Sequence, residues 1–376
     1  MDFDFSEDQE ALREAVQRWA EKGFSFERRH ALAQAGGASR EVYAELADLG
    51  LCGLLIPEAD GGMGMGAIES MVVCEELGRG LVHAPFAAAA LMSPALLAAA
   101  PQALKASLLP AMASGQKLVV PALQERASRY RLNRVSCQAS RQGEGWVLDG
   151  TKTVVPAGDE ADAFVVSARL GGKDVNDSAG IGLFVVQAEQ ATTRGYATQD
   201  GARSADLVLR ATPASLVSED GFMLIEHAMD IGIAAQCAEA VGLMDRLLAI
   251  TVDYMNTRKQ FGSTLASFQA LRHRVADLKM QLELGRSMSY FASLKLGEPP
   301  AQRRRAISQA RVQLGQSMRM VGQQCVQLHG GIACTDEYIA SHYFKRLTVL
   351  ELSLGDTLHH LGEVSARMQD TAGVFA

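Results

Sequence analysis

The stretch YMNTRKQFGSTLASFQALRHRVADL, residues 254–278, decides how this chain folds, because a helical run ends there at a cation, an aromatic residue and a glycine. Arg258 closes the run just before Phe261 and Gly262. A guanidinium carries several donors in one rigid plane and can hold a pyrophosphate, and a nearby phenyl ring can cover a flat ring system. The alternative is an ordinary helix C-terminus with a solvated arginine, which is where most arginines lie.

Helical periodicity extends on both sides of this stretch. One run covers about Phe222–Arg258 and another about Phe268–Leu296. After a break at Pro299–Pro300, a third run ends at His329–Gly331, where the glycines favour a helix C-terminus. Long helices rich in Ala, Gly, Met and Leu predict a helical bundle in the C-terminal part of the chain.

The N-terminal part of the chain also predicts helices. Ser6 and Gln9 have the spacing of a capping box, in which each side chain satisfies a backbone donor of the other. Amphipathic runs follow at about 41–51 and 67–77. The alanine-rich stretch APFAAAALMSPALLAAAP, residues 84–101, predicts buried helical turns and no membrane span, because three prolines interrupt it.

Between the two helical parts the period changes to that of strands. GWVLDGTKTVV, residues 145–155, alternates around Asp149–Gly150, a pair that predicts a hairpin turn, and ADAFVVSAR and GIGLFVV are short apolar runs bounded by turn residues. The predicted chain is therefore α+β, with an N-terminal helical domain at 1–115, a middle β-domain at 116–217 and a C-terminal four-helix bundle at 218–376.

Composition excludes several classes of function. The 376 residues carry a formal net charge of −7, so no basic field attracts nucleic acid. The six cysteines contain no CxxC pair, which fits reduced thiols, and the acidic N-terminus lacks the features of a signal peptide. No glycine cluster has the context of a dinucleotide-binding fingerprint. We therefore expect a cytoplasmic protein that binds no nucleic acid.

A second short stretch, ELSLGDTLHH at residues 351–360, brings two carboxylates and two histidines together. Asp356 is a candidate acid or base, but it is also well placed to cap a following helix, and the cap is the favoured interpretation. A metal site is not expected. Asp356, His359 and His360 lack a fourth ligand nearby, and adjacent histidines on a helix point about 100° apart.

Two segments resemble the acyl-CoA dehydrogenase family. The first is the stretch at 254–278, and the second is QLHGGIACTDEY at 327–338, which is similar to the family motif Gln-x-His-Gly-Gly-x-Gly with Ala333 in place of the last glycine. The resemblance implies FAD shared across a dimer interface, an acyl-CoA substrate and an electron-transferring flavoprotein as electron acceptor. The cofactor-binding residues that it implies are Arg258, Gln260, Phe261, Gln269, Gln327, Gly330 and Gly331.

The usual catalytic glutamate of that family is missing. Most members carry it in a Glu-Gly-Thr-x-Gln turn near the C-terminus, where this chain has Leu354. A minority carry it on the long helix that enters the bundle, where this chain has Gly232. Asp230 and Glu239 flank that position but project in other directions. Asp356 remains the candidate base, with the helix cap as the alternative.

The β-domain departs from the family as well. Where the family has a Thr-Glu-Pro loop beneath the flavin, this chain has Leu-Gln-Glu at 123–125, and where it has Lys-x-Trp-x-Thr, this chain has KTVVP at 152–156. Four arginines follow the first of these segments, and they indicate either a phosphate-bearing ligand such as CoA or a solvated strand face. They are Arg126, Arg129, Arg131 and Arg134.

The segments EELGRGLVHAPF, GTKTVVPAG, CAEAVG, SHYFKRLT and SLGDTLHH together resemble the small subunit of pimeloyl-CoA-type and steroid-side-chain dehydrogenases. That resemblance implies a homo- or hetero-oligomer with a paralogous subunit, and α,β-dehydrogenation of an acyl-CoA in which this chain supports the partner's flavin site. Two alternatives stay open. One is a flavin monooxygenase or oxidase on the same fold, and the other is a non-catalytic structural subunit.

Overall fold

The computed structural model describes residues 5–37, 40–171 and 174–368. Helices occupy both ends of the described chain. They are α1 (Glu7–Gly23), α2 (Phe26–Gln34), α3 (Arg40–Asp48), α4 (Ala67–Arg79), α5 (Ser93–Leu96), α6 (Gln102–Ala113), α7 (Phe222–Thr257), α8 (Gln269–Leu294), α9 (Pro300–His329), α10 (Ile339–Leu352) and α11 (Thr357–Ala366).

Strands occupy the middle of the chain, and a small hairpin follows α7. The strands are β1 (Val119–Ala122), β2 (Gln138–Gln142), β3 (Gly145–Pro156), β4 (Ala163–Leu170), β5 (Ile181–Gln187), β6 (Thr192–Ala197), β7 (Arg203–Ser218), β8 (Lys259–Gln260) and β9 (Ser263–Thr264). This order confirms the predicted α+β architecture, with a helical N-terminal part, a middle β-domain and a C-terminal helical bundle.

The strands of the β-domain pair in a closed path. β2 pairs with β3, β3 with β7, β7 with β5, β5 with β4, and β4 returns to β2, while β1 joins β4 and β6 joins β7. Residues 163–169 of β4 are all buried, as expected for a strand covered on both faces. The apolar runs of the sequence therefore form the interior of this domain.

The predicted hairpin turn at Asp149–Gly150 is wrong. β3 runs unbroken through both residues, and its pairing with β7 shifts register between Leu148 and Gly150, which is a β-bulge. The Asp149 carboxylate accepts from the Ala211 N–H at 2.8 Å. A Cβ on Gly150 would lie 2.8 Å from Cys137 Cα. Tertiary packing thus uses the Asp-Gly pair for a bulge, and β3 turns back toward β2 at residues 142–145 instead.

The N-terminal predictions are confirmed. Ser6 caps α1 in a reciprocal capping box with Gln9. The alanine-rich stretch forms a buried π-helical turn at Ala87–Met92 followed by α5, as the prolines predicted. Within the described residues, no helix combines the length and the apolar character that a membrane crossing requires.

The described chain divides into two compact units. One contains the segment that ends at Arg29, Ala67–Val82, and the chain from Ile233 onward, and the other contains His30–Gly66 and His83–Gly232. The predicted domain boundaries near 115 and 217 remain predictions.

In the first unit, α4 and α7 cross at backbone contact. A Cβ on Gly78 would lie 2.2 Å from the Glu239 carbonyl oxygen, and one on Gly242 would lie 1.8 Å from the Glu75 carbonyl oxygen. Only glycine permits this approach. The buried Glu75 carboxylate of α4 pairs with Arg286 of α8, and Arg79 of α4 pairs with Asp245 of α7, so ion pairs tie these three helices together.

Candidate functional site

The end of α7 presents a cation and an aromatic ring to solvent. Arg258 follows the last residue of α7 and begins the β8–β9 hairpin segment. Phe261 stands at the hairpin tip with a φ of +51° and Gly262 follows at +83°. A bulky side chain is uncommon in the left-handed region. The Phe261 side chain is 91% exposed, and its ring lies against the edge of the Phe268 ring, at 6.2 Å between centroids.

The polar side chains predicted to bind the cofactor in this region are free to contact a bound molecule. The Arg258 guanidinium and the amides of Gln269 and Gln327 are exposed and hydrogen-bond to no other residue within the described ranges. Gln260 is also exposed, and its amide nitrogen donates to the Lys259 carbonyl at 2.8 Å. The guanidinium can donate to a phosphate, and the two amides can hydrogen-bond to the polar atoms of a nucleotide, without breaking bonds within the protein.

The second motif segment lies beside the end of α7. The Tyr254 ring lies 4.6 Å from the His329 ring at the end of α9, and the Tyr338 ring lies 5.3 Å from the same imidazole. His329 Nδ1–H donates to the Cys325 carbonyl at 2.8 Å, and burial lowers the pKa of this histidine. The structure therefore brings Arg258 and Gly330–Gly331 to one end of the bundle.

The glycines after α9 leave open space above the backbone. Gly330 has a φ of +70°, which favours glycine, and a Cβ on Gly330 or Gly331 would meet nothing within 4 Å in this chain. Crowding within this chain does not explain why position 331 is a glycine. Its lack of a side chain leaves room for a large molecule to approach the backbone.

Two buried side chains hold the turn between α10 and α11. Arg311 of α9, itself buried, donates to the carbonyls of Ser353 at 2.8 Å and Gly355 at 3.3 Å, and also to that of Leu350. His360 Nε2–H donates to the Leu354 carbonyl at 3.1 Å. Burial and the nearby Arg311 lower the pKa of His360 to about 3, so its imidazole is neutral at physiological pH.

This turn has a strained backbone at the position of the missing glutamate. Leu354 has a φ of +54° and Gly355 a φ of +109°. A Cβ on Gly355 would lie 2.4 Å from His360 Nε2, so only glycine fits there. The half-buried Leu354 side chain is a hydrocarbon and cannot accept a proton.

Asp356 is the N-cap of α11. Its Oδ1 accepts from the His359 N–H at 2.8 Å. The buried Glu351 carboxylate reaches the same helix start and accepts from the Thr357 hydroxyl at 2.7 Å. These contacts agree with the cap interpretation, and a catalytic role for Asp356 remains a prediction.

The carboxylates near the alternative base position are also engaged. Glu239 forms a two-bond pair with Arg346, at 2.6 Å to Nε and 3.0 Å to Nη2. Asp230 lies on the same helix and is fully buried. Both oxygens of the Glu239 carboxylate are therefore occupied by one guanidinium.

In the β-domain, Glu125 points into the interior of the fold. Its carboxylate accepts from Lys152 Nζ at 2.7 Å and from the N–H groups of Ser136 at 2.8 Å and Cys137 at 3.0 Å. The Lys152 ammonium, fully buried, hydrogen-bonds to the Ser167 hydroxyl as well. The segment at 123–125 therefore supplies a structural ion pair.

Val154, which stands where the family has tryptophan, is 47% exposed with a φ of +55°. A β-branched residue is rare in this backbone conformation. The Val154 N–H donates to the Tyr196 hydroxyl at 3.2 Å. The strand thus keeps an irregular, exposed bend although it lacks the aromatic side chain.

Sequence reasoning missed the residues that hold the 350–360 turn. Arg311 was the detectable one, because it lies among the apolar, buried positions of α9, where a solvated arginine does not fit. From the sequence, His360 is considered only for a metal site that is not expected, whereas the structure uses it to bind the Leu354 carbonyl, and Glu351 accepts from the Thr357 N–H at 3.3 Å.

Comparison with known proteins agrees with this geometry. Residues 6–116 match the family "Acyl-CoA dehydrogenase, N-terminal domain", and residues 219–369 match "Acyl-CoA dehydrogenase, C-terminal domain". Acyl-CoA dehydrogenase IpdE2 of Mycolicibacterium smegmatis is 28% identical over 365 residues, covering 96% of this chain and 99% of that protein.

Two solved structures have similar folds. The ChsE4-ChsE5 complex from Mycobacterium tuberculosis matches with a TM-score of 0.89 and 25% identity, over 99% of this chain and 100% of that chain. A variant of the Tcur3481-Tcur3483 steroid ACAD matches with a TM-score of 0.87 and 26% identity, over 98% of this chain and 99% of that chain.

Proposed function

Because this chain belongs to the acyl-CoA dehydrogenase family, whose members are FAD-dependent oxidoreductases acting on CH–CH bonds, we propose that it is the subunit that completes a partner's flavin site. The proposed reaction is α,β-dehydrogenation of an acyl-CoA thioester. The proposed partner is a paralogous acyl-CoA dehydrogenase subunit, and the proposed electron acceptor is an electron-transferring flavoprotein.

One observation carries the proposal. This chain presents groups that can hold a flavin nucleotide, but it lacks a free carboxylate at either family position for the base. Leu354 is a hydrocarbon in a fixed turn, Gly232 has no side chain, and Glu239 is paired with Arg346. Removal of an α-proton needs a base within hydrogen-bond reach of it. A second subunit that supplies the carboxylate would make the assembly complete.

The residues present fit FAD. Arg258 would hold the pyrophosphate, Phe261 would cover a flat part of the cofactor, and Gln269 and Gln327 would bond to its polar edges. Gly330 and Gly331 leave space for the cofactor. When bound, FAD supplies the acceptor for the β-hydride. The chain's own groups would bind the cofactor and orient it.

The heteromeric assembly is supported by the relatives. The ChsE4-ChsE5 structure is a complex of two differently named chains, and the Tcur3481-Tcur3483 steroid ACAD likewise carries two names. In such a pair, a chain with exposed cofactor-binding groups and no base would complete the flavin site of its partner. A cytoplasmic location is also proposed, on the support of six cysteines that are all free thiols.

The test compares the isolated chain with the chain co-expressed with a paralogous subunit. We expect slow or no bleaching of flavin absorbance by a panel of acyl-CoAs for the isolated chain, and turnover for the assembled pair. Full turnover by the isolated chain with stoichiometric FAD would contradict the proposal. Rapid reoxidation of the reduced flavin by O₂ in the pair would instead favour a monooxygenase or oxidase, and no flavin under any pairing would favour a structural subunit.

A further inference from the structure

We propose that residues 126–134, here called the basic loop, bind the phosphate groups of a nucleotide ligand. The chemistry recognised is a phosphate monoester or pyrophosphate, which coenzyme A and FAD both carry. The inference rests on the proposed function, since it names how that function's ligand is held, but its test reads binding and not turnover.

The basic loop concentrates positive charge in an acidic protein. Five arginines and no acidic residue lie between Arg126 and Gly143, in a chain whose net charge is −7. Arg141, the last of them, is paired with Glu219 at 3.2 Å and lies over the Trp146 ring. The remaining four belong to the basic loop. Like charges so close together repel each other and favour binding of an anion.

Three of these four cations lack an ion-pair partner in the part of the chain that the structure describes. Arg126, Arg131 and Arg134 form no ion pair with any residue in the described ranges. The Nε–H of Arg134 is buried and has no acceptor there. A buried donor without an acceptor costs free energy, so an unpaired group of this kind points to an ion or ligand that completes it.

A fully buried arginine holds the backbone of the basic loop. Arg169 of β4 donates to the Asn133 carbonyl at 2.8 Å and to the Val135 carbonyl at 3.4 Å. The same guanidinium donates to three carbonyls of the next turn, those of Val175, Asp177 and Ala179. Because its donors are used inside the fold, Arg169 positions the loop and is not itself a ligand.

The start of the basic loop is fixed by Glu125. Its carboxylate is buried and neutralised by Lys152, so it does not repel an anion at the surface. The loop then follows three successive turns, in which Ser128, Arg131 and Arg134 N–H groups donate to the carbonyls three residues earlier, at 3.0, 3.0 and 3.2 Å. A loop ordered before binding loses little conformational entropy when a ligand arrives.

The acidic residues of the adjoining turn are turned toward their own backbone. Asp174 accepts from the Asn176 N–H at 2.7 Å, and Asp177 accepts from the Ala179 N–H at 3.0 Å. Asn133 donates to the Asn176 carbonyl at 2.6 Å, which joins this turn to the basic loop. The two carboxylates therefore stabilise the loop's support and form no ion pair with Arg126, Arg131 or Arg134 within the described residues.

The test compares two double variants of the full chain, Arg131→Gln with Arg134→Gln in the basic loop, and Arg194→Gln with Arg210→Gln on β6 and β7. All four arginines lack an ion pair within the described residues, and both variants change the net charge equally. Calorimetric titration would use coenzyme A, dephospho-coenzyme A, pantetheine and FAD. We expect the loop variant to weaken binding of one phosphate-bearing probe at least about tenfold, since a charge-assisted hydrogen bond contributes on that order. Pantetheine, which lacks phosphate, should bind both variants equally.

A loss confined to coenzyme A would assign the phosphates to the acyl carrier, and a loss confined to FAD would assign them to the flavin nucleotide. Unchanged binding of both, or equal losses in the two variants, would overturn the proposal. Arg131→Lys with Arg134→Lys should recover most of the affinity, because lysine keeps the charge but not the two-bond geometry. None of these readouts depends on turnover. The proposed function can therefore be refuted while phosphate binding by the basic loop is confirmed, and the reverse.

Discussion

At the scale of single residues, the same residue types have very different roles in this chain depending on their contacts. Asp356 uses its carboxylate to satisfy a backbone donor at a helix start, and Glu125 uses its carboxylate to neutralise a buried lysine. Arg169 and Arg311 are both buried and both donate to backbone carbonyls. In contrast, Arg258 remains exposed without an ion pair in the described chain.

The cap role of Asp356 leads to a pair of expected results. Asp356→Asn should keep both activity and stability in the assembled enzyme, because asparagine caps a helix about as well as aspartate. Asp356→Ala should keep activity but lower the free energy of unfolding by about 1 kcal/mol, through loss of the bond to the His359 N–H. Urea unfolding and acyl-CoA turnover of both variants check this. If Asp356→Asn abolished turnover with FAD still bound, Asp356 would be the base after all.

Sequence indicated the chemistry of exposed residues better than that of buried ones. Arg258 and Phe261 could be singled out because their local context, a helix end and a glycine turn, is visible in adjacent letters. The partners of Glu125 and His360 lie far along the chain, at Lys152 and Ser308. Pairings of that kind depend on the tertiary fold, so only the structure shows them.

At the scale of elements, helices were predictable and the strand irregularities were not. The capping box of α1 and the glycine end of α9 are local signals, and both elements begin or end where these signals stand. The Asp149–Gly150 pair is an equally local signal, yet β3 continues through it because Ala211 and Cys137 pack against it. A local turn signal therefore ends a strand or helix only where tertiary contacts do not favour its continuation.

The β8–β9 hairpin and the end of α7 form one small element, and we expect Arg258 to serve ligand binding there and not folding. Arg258→Ala should weaken FAD retention in the assembled enzyme about ten- to a hundredfold, because a charge-assisted bond contributes roughly 1.5–3 kcal/mol. The melting temperature of the apoprotein should not change. Arg272→Ala, an exposed arginine of α8, is the control. Equal flavin content in the two variants after gel filtration would reject a role for Arg258 in cofactor binding.

At the scale of the whole molecule, buried neutral histidines connect folding stability to pH. Burial lowers the pKa values of His329, His342 and His360 in the folded chain. Above about pH 6.5 these groups are neutral in both the folded and the unfolded chain. Below that pH the unfolded chain takes up protons first, so the free energy of unfolding falls as the pH falls.

His360 offers the clearest measurement of this effect. With a folded pKa of about 3, it should reduce the free energy of unfolding by about 1.4 kcal/mol per pH unit below about pH 6.5, or roughly 2 kcal/mol by pH 5. Urea unfolding at pH 7.5, 6.0 and 5.0 should show a shallower pH dependence for His360→Asn than for the wild type. Identical slopes in His360→Asn and the wild type would refute the linkage.

The division into two units was the least predictable feature at this scale. The sequence is read in order, whereas the first unit is assembled from three separated segments of the chain. The Gly78 and Gly242 contacts, which join α4 to α7, show why. Two glycines more than 160 residues apart have no signature in a local pattern.

The manner in which the turn at 350–360 is held has a consequence for how such a subunit can arise by gene duplication. Arg311 and His360 grip backbone carbonyls, and neither touches the side chain at position 354 through a hydrogen bond. A left-handed backbone there costs any non-glycine residue about the same, on the order of 1 kcal/mol. A duplicated copy could therefore exchange the side chain at position 354, lose a reactive group and keep the fold of the turn. Shape and reactivity reside on separate atoms here, so that one can change by mutation while the other is kept.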